Sequence, residues 1–381
     1  MSTRYFDNAA TTAVRPEVLE AMMPYWTHAF GNPSSHHEVG EQAARALADA
    51  RARVAAVLGM RAGDVIFTSG GTEGNNLAVK GIAVAAKLRR GAAHLVSTPV
   101  EHESILESVA ALERVHAFAA TLVPVDHDGR LDPDAVAAAL RDDTALVSIG
   151  YANNEVGTVQ DVAAIAAAAR VRRIPVHVDA VQAAGWLPLA GLGADAITIA
   201  GHKLGAPKGT GVVAVRGRIP LEPLLHGGGQ ERGRRSGTEN VAGAVGLATA
   251  LELAEAERTA SAARVGSLSR AFIADVLARV PTARLTGHPV ERLPGTASFT
   301  FAGTSGEAVL LELERRGVVS SSGSACAAGG DEPSHVLLAM GIDPAVAQTA
   351  VRFTFPHDLS APLDDVAAAV AASVAAVGSG G

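Results

Sequence analysis

Short apolar runs rich in β-branched residues alternate with alanine-rich stretches of helical spacing over the first two-thirds of the chain. The short runs are typical of buried strands, and the longer stretches are typical of helices with one apolar face. Alternation of this kind predicts βαβ units around a mainly parallel sheet. The predicted strands are residues 65–68, 94–97, 145–149, 176–179, 196–200 and 211–215, and the predicted helices include residues 40–58, 72–87, 104–115 and 161–171.

The pattern changes near residue 241, where a long Ala/Leu/Glu stretch of helical spacing begins and runs to Val280. Pro281 ends this stretch, because proline cannot continue a helix. Shorter mixed elements follow and indicate a second structural region. They are predicted as strands at residues 296–301, 318–319 and 351–355 and a helix at residues 306–316.

The bulk composition predicts a globular protein of two domains. A chain of 381 residues, 48% of them apolar, is long for one domain. We expect residues 15–258 to form a large domain, and residues 1–14 and 259–381 a smaller α+β domain. The net charge of −7 without a Lys/Arg block argues against a nucleic-acid surface. Since the sequence shows neither a secretion signal nor an apolar run long enough for a bilayer, we expect a cytoplasmic protein without membrane contact.

Polar and glycine-rich clusters follow several predicted strands directly. Residues 69–73 read Ser-Gly-Gly-Thr-Glu, a glycine turn opening a helix, where backbone N–H groups and the helix dipole favour a phosphate. The other clusters are residues 153–155, Asp179 with Gln182, and residues 201–203. Open α/β sheets bind ligands at the carboxyl ends of their strands. One crevice is therefore expected to collect a phosphate cradle, an acid, an amide, an imidazole and an amine.

Each of these features alone has an ordinary structural explanation, such as a helix cap or a surface lysine. Their combination matches the needs of pyridoxal phosphate, which requires a lysine, a carboxylate for its pyridine nitrogen, a ring to stack on it and donors for its phosphate. The sequence contains no GxxxxGK[ST], HExxH or GxSxG motif. ATP hydrolysis, zinc proteolysis and serine-hydrolase chemistry are therefore unsupported.

The single cysteine, Cys326, excludes an intrachain disulfide and a cysteine-based zinc cluster, and we predict no metal site. A lone cysteine is usually a small buried hydrophobe. Here serine, alanine and glycine surround it, including Gly323 and the Gly329–Gly330 pair. Because such neighbours make a poor core segment, the sequence favours a loop that presents a thiol.

Many motifs of the chain, taken in order, resemble those of the cysteine desulfurases of the NifS/IscS type, which are class V, fold type I enzymes. The resemblance implies a pyridoxal 5′-phosphate-dependent transferase with a large domain around a mainly parallel seven-stranded sheet. It covers essentially the whole chain. The motifs lie at residues 7–12, 31–35, 68–73, 101–102, 153–157, 177–182, 201–203, 227–232, 235–238, 321–326 and 352–353.

The resemblance assigns cofactor roles to residues of this chain. It implies that Lys203 forms the internal aldimine, that Asp179 pairs with the pyridinium nitrogen, and that His102 stacks on the ring and moves protons. The remaining contacts are implied for Gly71, Thr72 and His202 at the phosphate, Gln182 at the phenolic oxygen, Asn154 beside the cofactor, and Thr238 at the cofactor of the other subunit of a homodimer.

The resemblance also implies the reaction. Arg352, with Asn32 and Asn154, would bind the substrate carboxylate, a task that suits the planar guanidinium. The Cys326 thiolate would then attack the sulfur of L-cysteine, giving an enzyme persulfide and L-alanine. A sulfur-acceptor protein would dock near this cysteine and carry sulfur to Fe–S clusters or other thio-cofactors.

Three positions depart from the family pattern. Ala200 stands where relatives often carry serine, so a phosphate contact is expected to be missing or replaced. Residues 354–356 read Thr-Phe-Pro instead of Ser-Leu-Gly, which changes the wall of the carboxylate site. Gly74 and Asn75 replace a common Ser-Asp or Ser-Asn pair.

Two alternative functions stay open at this point. Selenocysteine lyase or cysteine C–S lyase activity is possible on the same scaffold, although such chemistry needs no thiol at Cys326. A non-catalytic sulfur-assembly scaffold is the alternative from another functional class. The presence of Lys203, Asp179 and His102 argues against it.

Overall fold

The computed structural model describes residues 3–323 and 332–378. Its strands are β1 (Arg4–Tyr5), β2 (Val65–Thr68), β3 (His94–Ser97), β4 (Ala119–Leu122), β5 (Thr144–Gly150), β6 (Val176–Asp179), β7 (Ala196–Ala200), β8 (Gly211–Val215), β9 (Ala283–Leu285), β10 (Thr296–Phe301), β11 (Val318–Val319) and β12 (Val351–Thr354). Its helices are α1 (Pro16–Met22), α2 (Pro24–Thr27), α3 (Glu38–Leu58), α4 (Gly71–Arg90), α5 (Glu103–His116), α6 (Pro133–Ala139), α7 (Val162–Val171), α8 (Val241–Arg279), α9 (Gly306–Arg315), α10 (His335–Ala339), α11 (Pro344–Ala347) and α12 (Asp364–Gly378).

The central sheet has the strand order β2-β8-β7-β6-β5-β3-β4. Strand β8 is antiparallel to both neighbours, and the other adjacent strands are parallel. This arrangement confirms the predicted α/β class and the mainly parallel seven-stranded sheet. Because β5, β6 and β7 run in the same direction, the polar residues that follow them meet at one edge of the sheet.

Close backbone packing at that edge depends on glycine. Gly211 is paired with Thr68 across strands β8 and β2. A Cβ atom at Gly211 would lie 2.6 Å from the Cα atom of Gly70, which is closer than atoms can approach. The absence of a side chain at Gly211 therefore lets the turn before α4 lie directly against the end of the sheet.

Strand β4 has no counterpart among the predicted strands. It lies at the edge of the sheet, and its residues are exposed or half-buried. The sequence Ala-Ala-Thr-Leu also lacks the β-branched run that marks the other strands. Pairing with β3 therefore decides its conformation, and the apolar pattern does not.

A second hydrophobic core surrounds the antiparallel sheet β12-β10-β9. Phe272 of α8 contacts the rings of Phe299, Phe353 and Phe355 edge to face, with centroids 5.2–6.0 Å apart. Such edge-to-face contacts stabilise aromatic cores beyond simple area burial. Strand β1 pairs in parallel with β11, so the N-terminal strand lies beside this region.

Helix α8 links the two cores. Residues of its first half, such as Leu247 and Leu251, pack in the core of the large sheet, whereas Phe272 and Val276 pack in the second core. The predicted domain boundary at residue 258 falls inside this helix and stays a prediction. Among the described residues, no helix combines the length and apolar character needed to cross a bilayer.

Candidate active site

A cavity of about 380 Å³ opens where strands β5, β6 and β7 end and helix α4 begins. It brings together most of the residues that the sequence predicts for the cofactor and the substrate. These are Gly71, Thr72, His102, Asn154, Asp179, Gln182, His202, Lys203 and Arg352. Residues from six separate parts of the chain thus meet at the predicted edge of the sheet.

Lys203 ends a short 3₁₀ turn that follows β7. Its amine donates hydrogen bonds to the carbonyl oxygens of Ala9 and, at 2.7 Å, Ala10. Burial, with a smaller effect of the Arg352 charge, lowers the pKa of Lys203 to about 8. A substantial fraction of the amine is therefore unprotonated near neutral pH, and only that form can attack a carbonyl carbon.

Asp179 ends strand β6, and both of its carboxylate oxygens have hydrogen-bond donors. Oδ2 accepts from Asn75 Nδ2 at 2.6 Å, and Oδ1 accepts from the Val181 backbone N–H at 2.9 Å. Donors of this kind stabilise the ionised carboxylate and fix its orientation. Asp179 thus presents a held negative charge to the cavity.

Asn75 is a site residue that the sequence analysis mentions only as a departure from the family pattern. Its amide nitrogen also donates to Ser104 Oγ at 2.9 Å, and its Oδ1 has no hydrogen-bond partner among the described residues. Ser104 Oγ in turn contacts His102 Nδ1 at 2.9 Å. A continuous hydrogen-bonded chain therefore links His102 to Asp179.

His102 is the N-cap of helix α5. Its Nδ1 accepts a hydrogen bond from the Ser104 backbone N–H at 3.0 Å. Because Nδ1 accepts this bond, the ring hydrogen of the neutral imidazole lies on Nε2. The cap thus fixes both the orientation of the ring and the nitrogen that carries its proton.

The amino end of α4 supplies the predicted phosphate cradle. The cap residue, Gly70, contributes no side-chain hydrogen bond, so the first backbone N–H groups of the helix lack capping partners. A Cβ atom at Gly71 would lie 2.9 Å from Val181 Cγ2 and 3.4 Å from Ala200 Cβ. The helix end therefore packs closely on these two side chains, and Ala200 presents a methyl group where a hydroxyl is common.

His202 lies beside the amino end of α4 in the cavity lining. Burial, helped by the charges of Lys203 and Lys208, lowers the pKa of His202 to about 4. The ring is thus neutral at pH 7, and Nδ1 lies 3.2 Å from the hydroxyl of Thr11. When that hydroxyl donates to Nδ1, Nε2 carries the hydrogen and can donate to an anion.

Gln182 shares a partner with the reactive lysine. Its amide nitrogen donates to the Ala9 carbonyl oxygen at 3.1 Å, and Lys203 donates to the same oxygen. The N-terminal segment thus orients both side chains. Neither contact prevents Gln182 from donating a second hydrogen to a ligand, because an amide nitrogen carries two.

Arg352 lies on β12 and is 1% exposed. Nη2 donates to Asp7 Oδ1 at 2.7 Å, and Nη1 donates to the carbonyl oxygens of Asn154 at 2.8 Å and Gly323 at 3.1 Å. Nε is buried and has no partner within the described parts of the chain. A substrate carboxylate at this arginine would therefore share its charge with Asp7.

Two of the predicted site residues that the structure describes are not brought into this cavity. Thr238 is exposed and lines a separate cavity of about 250 Å³. Asn32 is also exposed, and its Oδ1 accepts from the Ser34 N–H at 2.9 Å. Cys326 lies outside the described residues.

The altered wall at residues 354–356 forms a tight contact with the N-terminal segment. Thr354 Oγ1 accepts from the Ala9 N–H at 2.8 Å, and the ring of Phe355 packs on Phe6 with centroids 5.1 Å apart. Ala9 also binds Lys203 and Gln182 through its carbonyl oxygen. The departure from the family pattern therefore supports the cavity through packing.

Glu101 is a second residue that the sequence analysis names only as part of a motif. It lines the cavity and is 4% exposed. Burial, with a smaller contribution from the Asp179 charge, raises the pKa of Glu101 to about 8. Glu101 is therefore largely a neutral acid at pH 7.

Several known proteins are similar to this chain in sequence or in fold. The profile of the aminotransferase class-V family matches residues 4–361. Cysteine desulfurase IscS of Dictyoglomus turgidum is 42% identical over 367 residues, which is 94% of this chain and 92% of the relative. A solved NifS-like protein superposes with a TM-score of 0.88 at 34% identity, covering 99% of this chain and 98% of that structure. SspA, solved in complex with cysteine, superposes with a TM-score of 0.80 at 34% identity, covering 93% and 99%.

Proposed function

Because this chain belongs to the aminotransferase class-V family and is a pyridoxal-phosphate-dependent cysteine desulfurase, we propose that its own thiol, Cys326, receives the sulfur of L-cysteine, with L-alanine as the second product. The observation that supports this proposal most directly is the single cavity that holds the amine of Lys203 and the carboxylate of Asp179. The lowered pKa of Lys203 and the two hydrogen bonds on Asp179 suit an amine that bonds a cofactor and an acid that faces its nitrogen.

The groups around the cavity fit pyridoxal phosphate. Lys203 would hold the cofactor through its amine and Asp179 would hold the ring nitrogen, with His102 against the ring. The uncapped N–H groups at the start of α4, the Thr72 hydroxyl and neutral His202 would hold the phosphate. When bound, the cofactor supplies an electron sink for negative charge at the substrate α-carbon.

The residues of this chain then divide the work on L-cysteine. Arg352 binds the substrate carboxylate, and Asp7 keeps the guanidinium in place through its 2.7 Å hydrogen bond. The Lys203 amine accepts the α-proton, which its pKa of about 8 allows near neutral pH. His102 holds a second movable proton at Nε2, because Ser104 binds its other ring nitrogen.

The sulfur step uses Cys326 as a nucleophile. Its thiolate attacks the substrate sulfur, a new S–S bond forms, and the Cβ–Sγ bond of the substrate breaks. The electron pair of that bond stays on the carbon, which becomes the methyl group of alanine after protonation. The thiolate is required because a protonated thiol is a poor nucleophile.

We propose further that the enzyme is a cytoplasmic homodimer and that Thr238 reaches the cofactor of the partner subunit. Thr238 is exposed and lies outside the cavity of its own chain. Its loop is tied to the phosphate turn, because Arg235 donates to Glu73 at 2.7 Å and Glu73 accepts from the Ser69 N–H at 2.8 Å. The persulfide would pass to an acceptor protein near Cys326, for Fe–S clusters or other thio-cofactors.

The reaction is tested by its products. Purified enzyme supplied with L-cysteine and no reductant is expected to form alanine and a persulfide on Cys326 in equal amounts. Cys326→Ser should still bind cysteine and give no protein persulfide, while Lys203→Ala should lose the visible absorption of the bound cofactor. Pyruvate and ammonia in place of alanine would identify a C–S lyase and refute the proposal. Normal sulfide release by Cys326→Ser would remove this residue from the reaction.

A further inference from the structure

The turn at residues 153–157 follows β5. Hydrogen bonds within the turn and to a neighbouring segment hold its conformation. Asn153 Oδ1 accepts from the N–H groups of Glu155 and Val156, at 2.8 and 2.9 Å. Asn153 Nδ2 donates to the Val100 carbonyl oxygen at 2.9 Å, which ties the turn to the segment before His102. Asn153 and Glu155 are buried, so this turn is a firm point beside the cofactor cavity.

The chain just before residue 324 is tied to this turn. Arg352 Nη1 donates to both the Gly323 and the Asn154 carbonyl oxygens. A Cβ atom at Gly323 would lie 3.7 Å from Glu155 Oε2, so the carboxylate of Glu155 faces the side of Gly323 where a side chain would project. Gly323 has φ +95°, a conformation that glycine adopts without strain.

The chain just after residue 331 is tied to the same carboxylate. The Ser334 hydroxyl donates to Glu155 Oε2, and both residues are 4% exposed. Ser334 Oγ also accepts from the Leu337 N–H at 3.2 Å, which caps helix α10. One carboxylate oxygen therefore binds Ser334, which follows Cys326 in the sequence, and faces Gly323, which precedes it.

Helix α10 is packed on the same part of the cavity wall. Val336 and Leu337 are buried in a cluster with Val100 and Val156. His335 Nε2 lies 3.0 Å from the Glu101 carbonyl oxygen. The helix that follows Ser334 thus contacts both segments that line the cavity near His102.

We propose that Glu155 is a positioning residue for the sulfur-transfer step, an inference that rests on the proposed role of Cys326. Glu155 is not among the residues that line the cofactor cavity. It acts through Ser334 and beside Gly323, and it fixes the positions of these two residues, which flank Cys326 in the sequence. A buried hydrogen bond from a hydroxyl to a carboxylate oxygen suits this task, because it is directional and is shielded from competing water.

The test separates sulfur transfer from cysteine binding in the holoenzyme. Glu155→Ala and Ser334→Ala are expected to slow persulfide formation on Cys326 about tenfold or more in a single turnover, because small misplacements of reacting groups are costly. The cysteine affinity, measured from the change in visible absorption, should change less than about twofold, because neither residue lines the cavity. Glu155→Gln keeps an acceptor oxygen for Ser334 and is expected to restore most of the transfer rate.

Asp343→Ala is the matched control. Asp343 caps the neighbouring helix α11 by accepting from the Ala345 N–H at 2.9 Å, and it does not contact the turn at residues 153–157. Its loss should leave sulfur transfer within about twofold of the wild-type rate, since an exposed cap affects mainly local stability.

Hydrogen exchange at α10 tests the anchor without using the chemistry of Cys326. Glu155→Ala should speed exchange of the Leu337 amide, and Glu155→Gln should not. Unchanged exchange in Glu155→Ala would refute the anchor. Faster exchange with normal sulfur transfer would refute the positioning role, as would cysteine affinity that falls in proportion to the rate.

If the wild-type enzyme formed no persulfide on Cys326, the proposed function would fail. Normal exchange in Glu155→Ala would then separately reject the anchor.

Discussion

Lys203 and Asp179 are 24 positions apart in the sequence, and their surroundings differ. Lys203 is buried, which lowers its pKa, whereas Asp179 has donors on both oxygens, which favour its ionised form. An exposed lysine would be almost fully protonated at neutral pH. The reactivity of the amine is therefore a property of its surroundings.

The lowered pKa of Lys203 predicts how fast the apoenzyme takes up pyridoxal phosphate. Only the unprotonated amine attacks the aldehyde, so the rate should rise with pH and level off above about 8. The measurement is the appearance of the visible band after mixing, over a range from about pH 6.5 to about pH 10 that brackets the pKa. N-acetyl-lysine amide serves as the control, and its rate should keep rising toward pH 10.5, the ordinary value for lysine. A protein curve that follows this control would contradict the assignment.

Asn75 offers the second prediction for single residues. Asn75→Ala removes the amide that binds Asp179 and Ser104, and a hydrogen bond to a charged group contributes about 1.5–3 kcal/mol. Cofactor affinity, measured by equilibrium dialysis, should therefore fall about tenfold to hundredfold. Asn76→Ala is the control, because Asn76 is adjacent but binds Thr72 and Lys80 instead. Equal affinities in the two variants would show that Asn75 does not support the acid.

At the scale of elements, His177 joins three strands below the cavity. Its Nδ1 lies 2.9 Å from Ser148 Oγ on β5, and its Nε2 lies 2.9 Å from Thr198 Oγ1 on β7. The residue is fully buried, and burial lowers its pKa to about 3. A neutral imidazole thus holds the register of the strands that lead to residues 153–155, Asp179 and Lys203.

The buried imidazole predicts a loss of stability in acid. Between about pH 6.5 and pH 3 the unfolded chain binds a proton at His177 and the folded chain does not, so stability falls as pH falls through this window. His177 alone is expected to contribute a slope of roughly 1 kcal/mol for each pH unit within this window. Urea unfolding at several pH values should show a smaller slope in His177→Gln, which is also expected to be less stable at pH 7. His127→Gln, at an exposed position, should keep the wild-type slope.

Some strands and helices of this protein can be predicted from the local apolar pattern alone. The strands leading to the site were predictable because each is buried on both faces and therefore reads as a continuous apolar run. Their predicted and observed bounds agree closely, as do those of helices α3, α4 and α5. Edge strand β4 and the four-residue helices α2 and α11 have no such signal, because their pairing and packing partners determine them.

At the scale of the whole molecule, the N-terminal segment connects the two cores. Strand β1 pairs with β11, while the carbonyl oxygens of Ala9 and Ala10 bind Lys203. Asp7 binds Arg352 of the second region. Lys203 and Arg352 are thus both held by a few consecutive residues, whichever residue marks the domain boundary.

The proposed homodimer predicts recovery of activity from two inactive subunits. Lys203→Ala lacks the amine, and Thr238→Ala is expected to impair the site of its partner. A heterodimer of the two contains one intact site, so an equal mixture with random exchange should recover about one quarter of the wild-type activity. Subunit exchange is verified with two affinity tags. Proven heterodimers without recovered activity would contradict the role of Thr238 across the interface.

The sequence by itself determined the alternation of strands and helices, the sheet class and the types of chemical group that follow each strand. These properties depend on local apolar spacing and on residue identity, both of which are legible along the chain. Most of the predicted site residues that line the cavity could also be named, because they lie in short motifs at strand ends.

Tertiary structure decided the pKa values of those groups and the hydrogen bonds that hold them in place. Asn75 meets Asp179 across 104 positions, and Ser334 meets Glu155 across 179 positions, so neither contact has a local signal. The pKa values of Lys203 and Glu101 depend on burial, which exists only after folding. Desolvation and long-range hydrogen bonding act between neighbours in space, and for that reason the fold alone sets them.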